Sequence, residues 1–312
     1  MLKLFKSIVA LLMVLILVGS VVGCTSEPTA QEPVVESEEQ TEEITEELVV
    51  EDRGYARPES LVSAEELNNM ENVIIVDFRD ATLPGGYIPG AIKIGRGEQF
   101  AEIEGVANML PDKEIIERLL GGAGISNDDT VVIYDGDNGL WAARLWWTMK
   151  VYGHEDVRIL EGGSDAWRDA GFRTQMTADS LEATTYTAKE ANTTMIADLA
   201  MIKESFDNDN LVVLDTRSEG EWNDGRVPGA VWIEWTKALN ADGTFKNANE
   251  LRELYESNGI TENKEAIMPH CRAAVRSAHT MFVLTELLGY ENVRNYDGSW
   301  IEYEKSGEAI EK

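Results

Sequence analysis

"VVLDTRSEGEWNDGRVPGAVWIE" (Val212–Glu234) repeats, with changes, "IIVDFRDATLPGGYIPGAIKI" (Ile74–Ile94). Asp215 stands where Asp77 does, and Val227-Pro228-Gly229-Ala230 where Ile88-Pro89-Gly90-Ala91 does. A second echo follows each copy: "GHEDVRILEGGSDAW" begins at Gly153 and "GYENVRNYDGSW" at Gly289, an offset of 136 residues. Self-similarity at a fixed offset marks duplicated structural units. Within each unit, short runs that are apolar throughout alternate with helical patterns. Such runs read as strands buried on both faces of a parallel sheet. The expected fold is α/β, with two tandem domains, each a parallel sheet flanked by helices on both faces.

The first unit shows the alternation most clearly. Ser63 to Glu66 fits a capping box that opens a short helix. "NVIIVDFRD" (Asn72–Asp80) reads as a buried strand running into a loop, and "PDKEIIERLLGGAGI" as an amphipathic helix stopped by Gly121. "DTVVIYDGD" (Asp129–Asp137) is a second strand, "LWAARLWWTMKVYG" a helix ended by Gly153, "DVRILEGG" a third strand and "SDAWRDAG" a short helix. Folded structure is expected from near Pro58, with a polar linker near Thr174–Thr184. The domains are placed at residues 57–176 and 184–312. Trp146 and Trp147 either line a cleft between them or pack against the second.

Composition limits the partners. A hydrophobic content of 43% supports two real cores, and the formal charge of -30 argues against nucleic acid or an anionic lipid surface. Residues 1–23 carry Lys3 and Lys6, an apolar run from Ile8 to Val18, and small residues after it, the three parts of a secretory signal. Gly23-Cys24 resembles the bacterial lipobox. That resemblance implies removal of residues 1–23 and acylation of Cys24, leaving the chain lipid-anchored to the cell membrane on its extracytoplasmic face. Eleven acids fall between Glu27 and Asp52, so residues 24–56 read as a disordered acidic tether. The chain has two cysteines, so acylation of Cys24 leaves Cys271 as the only free thiol. An exported protein seldom keeps one unpaired.

Cys271 lies in "MPHCRAAVRSAH" (Met268–His279), directly after the apolar run "EAIMP" and about five residues before a helical pattern. A strand-to-helix turn at the carboxyl end of a parallel sheet is where ligands bind, and its inward amides and helix terminus favour an anion. A thiol of ordinary pKa, about 8.5, is mostly protonated at neutral pH, and a fall of about two units beside arginine makes it mostly thiolate. Cys271 is therefore expected to be ionised and open to solvent. Four residues separate Cys271 from Arg276, one fewer than the five of a tyrosine-phosphatase loop.

The six-residue loop, "LDTR" with "GRVPGA", and "LLGYENVRNYDGSW" resemble the rhodanese family in order and spacing. "VDFRD", "YIPGA", "VVIYDGD", "AARLWW" and "GHEDVRILEGG" resemble the inactive half of its tandem members, so the likeness spans Pro58–Ile310. The resemblance implies a thiosulfate or 3-mercaptopyruvate sulfurtransferase that needs no metal or organic cofactor. The Cys271 thiolate would take the outer sulfur of a small donor, thiosulfate foremost, become a persulfide, and yield the sulfur to a thiol or cyanide acceptor. The amides of Arg272, Ala273, Ala274, Val275 and Arg276 would cradle the added sulfur. Arg276 would brace the loop and face the anion, Arg272 would favour a dianionic donor, and Arg217 would pair with a carboxylate at the pocket wall and help bind substrate.

Two departures bear on activity. Ala274 replaces a usual glycine and opposes left-handed backbone there, and Glu221 stands where some members carry a substrate arginine. A non-enzymatic persulfide- or sulfide-binding module is therefore the alternative, with a cysteine-dependent phosphatase third. His270, His154 and His279 read as structural, and three scattered histidines form no zinc pattern. "NADGTFKNANE" (Asn240–Glu250) reads as a turn, because its carboxylates lack calcium-loop spacing. Subtracting the offset from Cys271 gives Asp135, which cannot carry sulfur, so the first domain reads as a scaffold.

Overall fold

The apolar runs do form parallel strands. The structure, a computed structural model, describes residues 52–80 and 86–312. The expected signal, Cys24 and most of the acidic tether lie outside the described residues. The first domain runs β1 (Leu61–Val62), α1 (Ala64–Asn69), β2 (Val73–Asp77), β3 (Ile92–Lys93), β4 (Ala101–Ile103), β5 (Val106–Met109), α2 (Lys113–Gly122), β6 (Thr130–Tyr134), α3 (Leu140–Val151), β7 (Val157–Leu160) and α4 (Gly163–Asp169). The second runs β8 (Ile196–Ala197), α5 (Leu199–Glu204), β9 (Leu211–Asp215), α6 (Glu219–Asp224), β10 (Val231–Trp232), α7 (Ala248–Glu256), β11 (Ala266–His270), α8 (Arg276–Phe282), β12 (Asn295–Tyr296) and α9 (Ser299–Lys305).

The first sheet has the order β1-β7-β6-β2-β3, all parallel. In the second domain β10-β9-β11 and β12-β8 pair separately, and the Ile267–Val293 bridge joins them in the same order. Side chains alternate across each sheet, as the pleat requires. In β6, Val131 and Ile133 face one core while Val132 and Tyr134 face the other. In β9, Val212 and Leu214 face the first of these cores, and Leu211 and Val213 a third. Helices α1 and α4 cover the outer face of the first sheet, α5 and α9 that of the second. The inner faces, with α2, α3, α7 and α8, merge into one core shared by both domains.

Helices α3 and α8 are the centre of that shared core. Trp146 and Trp147 are fully buried there, with Trp146 edge-on to Phe282 at 5.2 Å, so they pack against the second domain and line no open cleft. The capping box at Ser63 and Glu66 forms as expected. Helix α2 passes through Gly121 and ends at Gly122, because left-handed Gly124 (φ +85°) is what breaks it. A Cβ on Gly121 would meet the Thr184 carbonyl at 2.7 Å, so that glycine serves the close approach of the linker.

Two boundaries differ from the sequence reading. Order begins before Pro58: Arg53 forks onto Glu161 (2.8 and 2.7 Å), and Ala56 N–H donates to Leu287 O. Residues 53–56, placed in the tether by composition, therefore bind both domains. The linker also runs further along the first domain than Thr184. Gln175 exchanges bonds with Tyr87, and Lys189 and Asn192 donate to Tyr152 and Val151. The second domain begins at β8.

Candidate active site

β11 ends at His270, and its register with β9 puts His270 beside Asp215. Cys271 is therefore the first residue beyond the sheet, and α8 starts at Arg276. Amides at the start of α9 hold the loop from behind, since Trp300 N–H donates to Cys271 O (2.9 Å) and Ile301 N–H to Arg272 O (3.2 Å).

The sulfur lies within this turn. The Ala273 and Ser277 amides and the Arg276 guanidinium face Sγ, and the Ser277 hydroxyl stands 3.8 Å from it. Burial pushes the thiol pKa up, but the Arg276 charge, these amides and the hydroxyl outweigh it, and the pKa falls below the ordinary thiol value. His270 is fully buried and stays neutral, because burial pulls its pKa down against the nearby Asp215.

Several expectations change. Cys271 is 1% exposed, not open to solvent. Exposed Arg272 and half-buried Ala273, Val275 and Arg276 form the rim above it. The cradle is not built from every loop amide: Ala274 N–H turns away to Ser299 Oγ (3.0 Å), as does Cys271 N–H (3.3 Å). Ala274 does take left-handed backbone, at φ +53°. Its two peptide groups are tied down, which is how an alanine is held there. Besides the Ser299 bond, its carbonyl accepts from Arg144 Nη1 (3.2 Å) and Asn295 Nδ2 (3.5 Å). Such strain costs about 1 kcal/mol.

Arg217 pairs with a carboxylate as expected, but at 2% exposed it is turned in from the surface a substrate would meet. Its Nε and Nη2 donate to Asp215 (2.9 and 2.6 Å) and Nη2 also to Gly225 O (2.7 Å), while its guanidinium stacks on Trp300 at 4.1 Å. Arg79 does the same with Asp77 and Gly86 O in the first domain, which has no thiol. A bond set present in both halves is a brace for the strand end. Cys24 lies outside the described residues.

Sequence reading missed two participants, Ser299 and Arg144, and one pairing, that of Arg276 with Glu221. Arg276 donates Nη1 and Nη2 to both oxygens of Glu221 (2.5 and 2.8 Å), a fork no local spacing announces. Burial pulls the Arg276 pKa down, but Glu221 and the Cys271 sulfur together outweigh it and raise it, and Arg276 in turn, ahead of Ser218, lowers that of Glu221 to about 2. Ser299, buried at φ +50°, positions two loop amides. Its signal was available: it matches Gly163, whose left-handed φ of +56° it shares. Arg144, buried on α3, reaches from the first domain to the loop and to Asp297 (3.4 Å).

A buried thiol held toward ionisation, at the carboxyl end of a duplicated parallel sheet, agrees with relationships found across the chain. The description "Rhodanese-like domain" matches residues 60–170 and 198–306. A Saccharopolyspora erythraea protein, provisionally named a thiosulfate sulfurtransferase, is 38% identical over 80% of this chain and 94% of its own. The sulfur carrier protein TtuD of Thermus thermophilus is 37% identical over 80% of this chain and 95% of its own. Among solved structures, SseA from Escherichia coli, described as a rhodanese-fold 3-mercaptopyruvate sulfotransferase, gives a TM-score of 0.68 over 77% of this chain and 98% of its own, a likeness of fold at 23% identity. Two matched domains and relatives covered nearly end to end make this chain a tandem-domain member of the rhodanese family.

Proposed function

We propose that the protein is a sulfurtransferase that carries sulfane sulfur as a Cys271 persulfide. The observation that carries this reading is the position of the thiol: beyond β11, among inward amides and beside Arg276, with a lowered pKa despite burial. The thiolate attacks the outer sulfur of a donor such as thiosulfate. That S–S bond breaks, sulfite leaves with its electron pair, and the new S–S bond forms on Cys271. A thiol or cyanide then attacks the outer sulfur and regenerates the thiolate, a double displacement. Arg276 and the Ala273 and Ser277 amides hold the charge throughout, and the names of the relatives support the same chemistry. Incubation with thiosulfate should add the mass of one sulfur atom, and cyanide should remove it with release of thiocyanate. Cys271→Ser should abolish both; release that survives this substitution would refute the assignment.

Burial of Cys271 favours a second reading, a sulfur carrier that holds its cargo for a partner, and TtuD bears such a name. Stoichiometric loading without turnover on small acceptors would establish it. The phosphatase reading is disfavoured by the short loop, and Cys271-dependent hydrolysis of an aryl phosphate would restore it. We also propose the Cys24 lipid anchor on the extracytoplasmic face, on the strength of the signal and "VGC" pattern. Cys24→Ala should move the protein out of the membrane fraction.

A further inference from the structure

Arg276 is not available to an incoming anion as a bare cation. Both terminal nitrogens are engaged by Glu221, and the Glu221 carboxylate is itself fixed by Ser218, through its amide (3.2 Å) and hydroxyl (2.8 Å). The capping box that opens α6 thus anchors a charge beside the active loop. With a pKa near 2, Glu221 stays ionised under any working condition. Arg276 lies between it and the thiol, and the Glu221 side chain is 32% exposed against 21% for Arg276, so Glu221 is the outer charge of the pair.

A count of the charges gives the sign. A Cys271 thiolate and Glu221 face a single guanidinium, so the site is already one negative charge in excess before a donor arrives. The surrounding pairs, Arg217 with Asp215 and Arg144 with Asp297, are internally neutral. His270 is held neutral by burial. Arg272 is exposed, and its field is weakened by solvent and salt, whereas that of the clamped Glu221 is not lost by side-chain motion. The formal chain charge of -30 acts in the same direction at longer range.

We propose that Glu221 is a specificity-determining residue that turns the site away from dianionic donors and toward those whose net charge is one negative or none, small alkyl persulfides above all. This rests on the sulfurtransferase reading. The step is balanced: Cys271 Sγ attacks the outer sulfur of R–S–SH, the R–S bond to that sulfur breaks, its electron pair leaves as the thiolate RS⁻, and the proton stays on the transferred sulfur of Cys271–S–SH.

The test compares the wild-type chain with Glu221→Gln, which keeps the shape and one acceptor for Arg276. Rates of sulfur addition to Cys271 are read by mass with two donors, dianionic thiosulfate and cysteine persulfide, which carries one net negative charge at most. The wild type should prefer the persulfide. Glu221→Gln should shift the ratio of kcat/KM values toward thiosulfate by about tenfold, chiefly through KM, because a unit charge close to the donor is removed. Added salt should shift the wild-type ratio the same way and the variant's less. Glu221→Ala, which also loses the cap, should match the sign. A ratio that is unchanged or moves toward the persulfide would overturn the selector and leave Glu221 as a brace for Arg276. Sulfur added from neither donor would instead refute the sulfurtransferase reading, and the selector with it.

Discussion

After β6 the chain turns through Asp135–Leu140, and after β11, at the 136-residue offset, through Cys271–Arg276. The backbones correspond closely: Asn138 and Ala274 are both left-handed, at φ +56° and +53°. The residue after the strand is held from behind in the same way, by Ser164 N–H on Asp135 O and Trp300 N–H on Cys271 O, both at 2.9 Å. In the first turn the Asp135 carboxylate accepts four amides, from Asp137, Gly139, Trp141 and Ala142 (2.7 to 3.0 Å). Ala273 and Ser277, which face the sulfur, are the counterparts of Asp137 and Trp141. The electrostatic outcome is opposite. Burial pushes the Asp135 pKa up and its four amides fail to reverse this, whereas the Cys271 pKa falls against equally complete burial. The difference is Arg276, which replaces Leu140. Amide dipoles can solvate an anion in this turn, but a full positive charge decides whether ionisation is favoured.

Replacing that charge should make the second turn resemble the first. Arg276→Leu should raise the Cys271 pKa above the ordinary thiol value and lower sulfur transfer on the order of 10^3-fold. Rates of iodoacetamide alkylation against pH would give the pKa directly. A thiol that still titrates below its ordinary value would mean that the amides suffice, and the contrast with Asp135 would need another cause.

The reverse substitution probes the first turn. Asp135→Ala removes the acceptor from four amides in a fully buried site. Stability should fall by about 3 kcal/mol, read from urea unfolding, since buried donors left unpaired are costly. An unchanged midpoint would show that water replaces the carboxylate and that this turn is a general anion cradle in need of no side chain.

The turns also meet across the domain boundary. Arg144 on α3 bonds the carbonyl of Ala274, and His279 on α8 faces the backbone of Asn138 without completing a hydrogen bond. The His279 ring packs between Phe245 (5.0 Å) and Trp235 (4.9 Å), and burial lowers its pKa to about 3. In the unfolded chain it takes a proton near pH 6.5, which the folded chain refuses until about 3. Stability is therefore full above pH 6.5 and declines as the pH falls toward 3. At pH 5 the loss from this residue should be about 2 kcal/mol. His279→Phe should flatten the curve over that window, as thermal melts at pH 7 and pH 5 would register. His270 and His154, also lowered by burial, share the acid sensitivity, so the slope should shrink and not vanish.

The legibility of these features follows from how local their causes are. The long strands β2, β6, β7 and β11 and the placing of Cys271 beyond β11 were readable, because doubly buried strands leave continuous apolar runs and the duplication supplies the register, whereas the two-residue strands and the antiparallel β4–β5 pair leave no such run. Asp135 was found by subtraction alone. What escaped needs contacts between distant positions: Glu221 with Arg276 lies 55 residues apart in sequence, and Arg144 with Ala274 is 130. Arg217 pairs with a carboxylate as expected, Asp215, but its reading as a substrate ligand could be revised only by tracing its remaining donor to Gly225 O. The packing of Arg53 and Ala56 was hidden by the acidic composition around them.

Ala274 shows the same limit at one residue, and it yields the smallest effect. Residue type alone argues against left-handed backbone, and asparagine at the corresponding Asn138 tolerates it better. Ala274 adopts it because Ser299 holds its amide and Arg144 its carbonyl. Ala274→Gly should remove the strain, but it also loosens the unfolded chain, so the net gain should be no more than about 1 kcal/mol, a rise of a few degrees in Tm. Should Tm fall instead, the Ala274 methyl, fully buried in the core shared by the domains, contributes more by packing than its backbone loses by strain. In that case the departure from glycine would be a stabilising contact of this chain, and the thiolate cradle would owe its shape to the two domains pressing on it from either side.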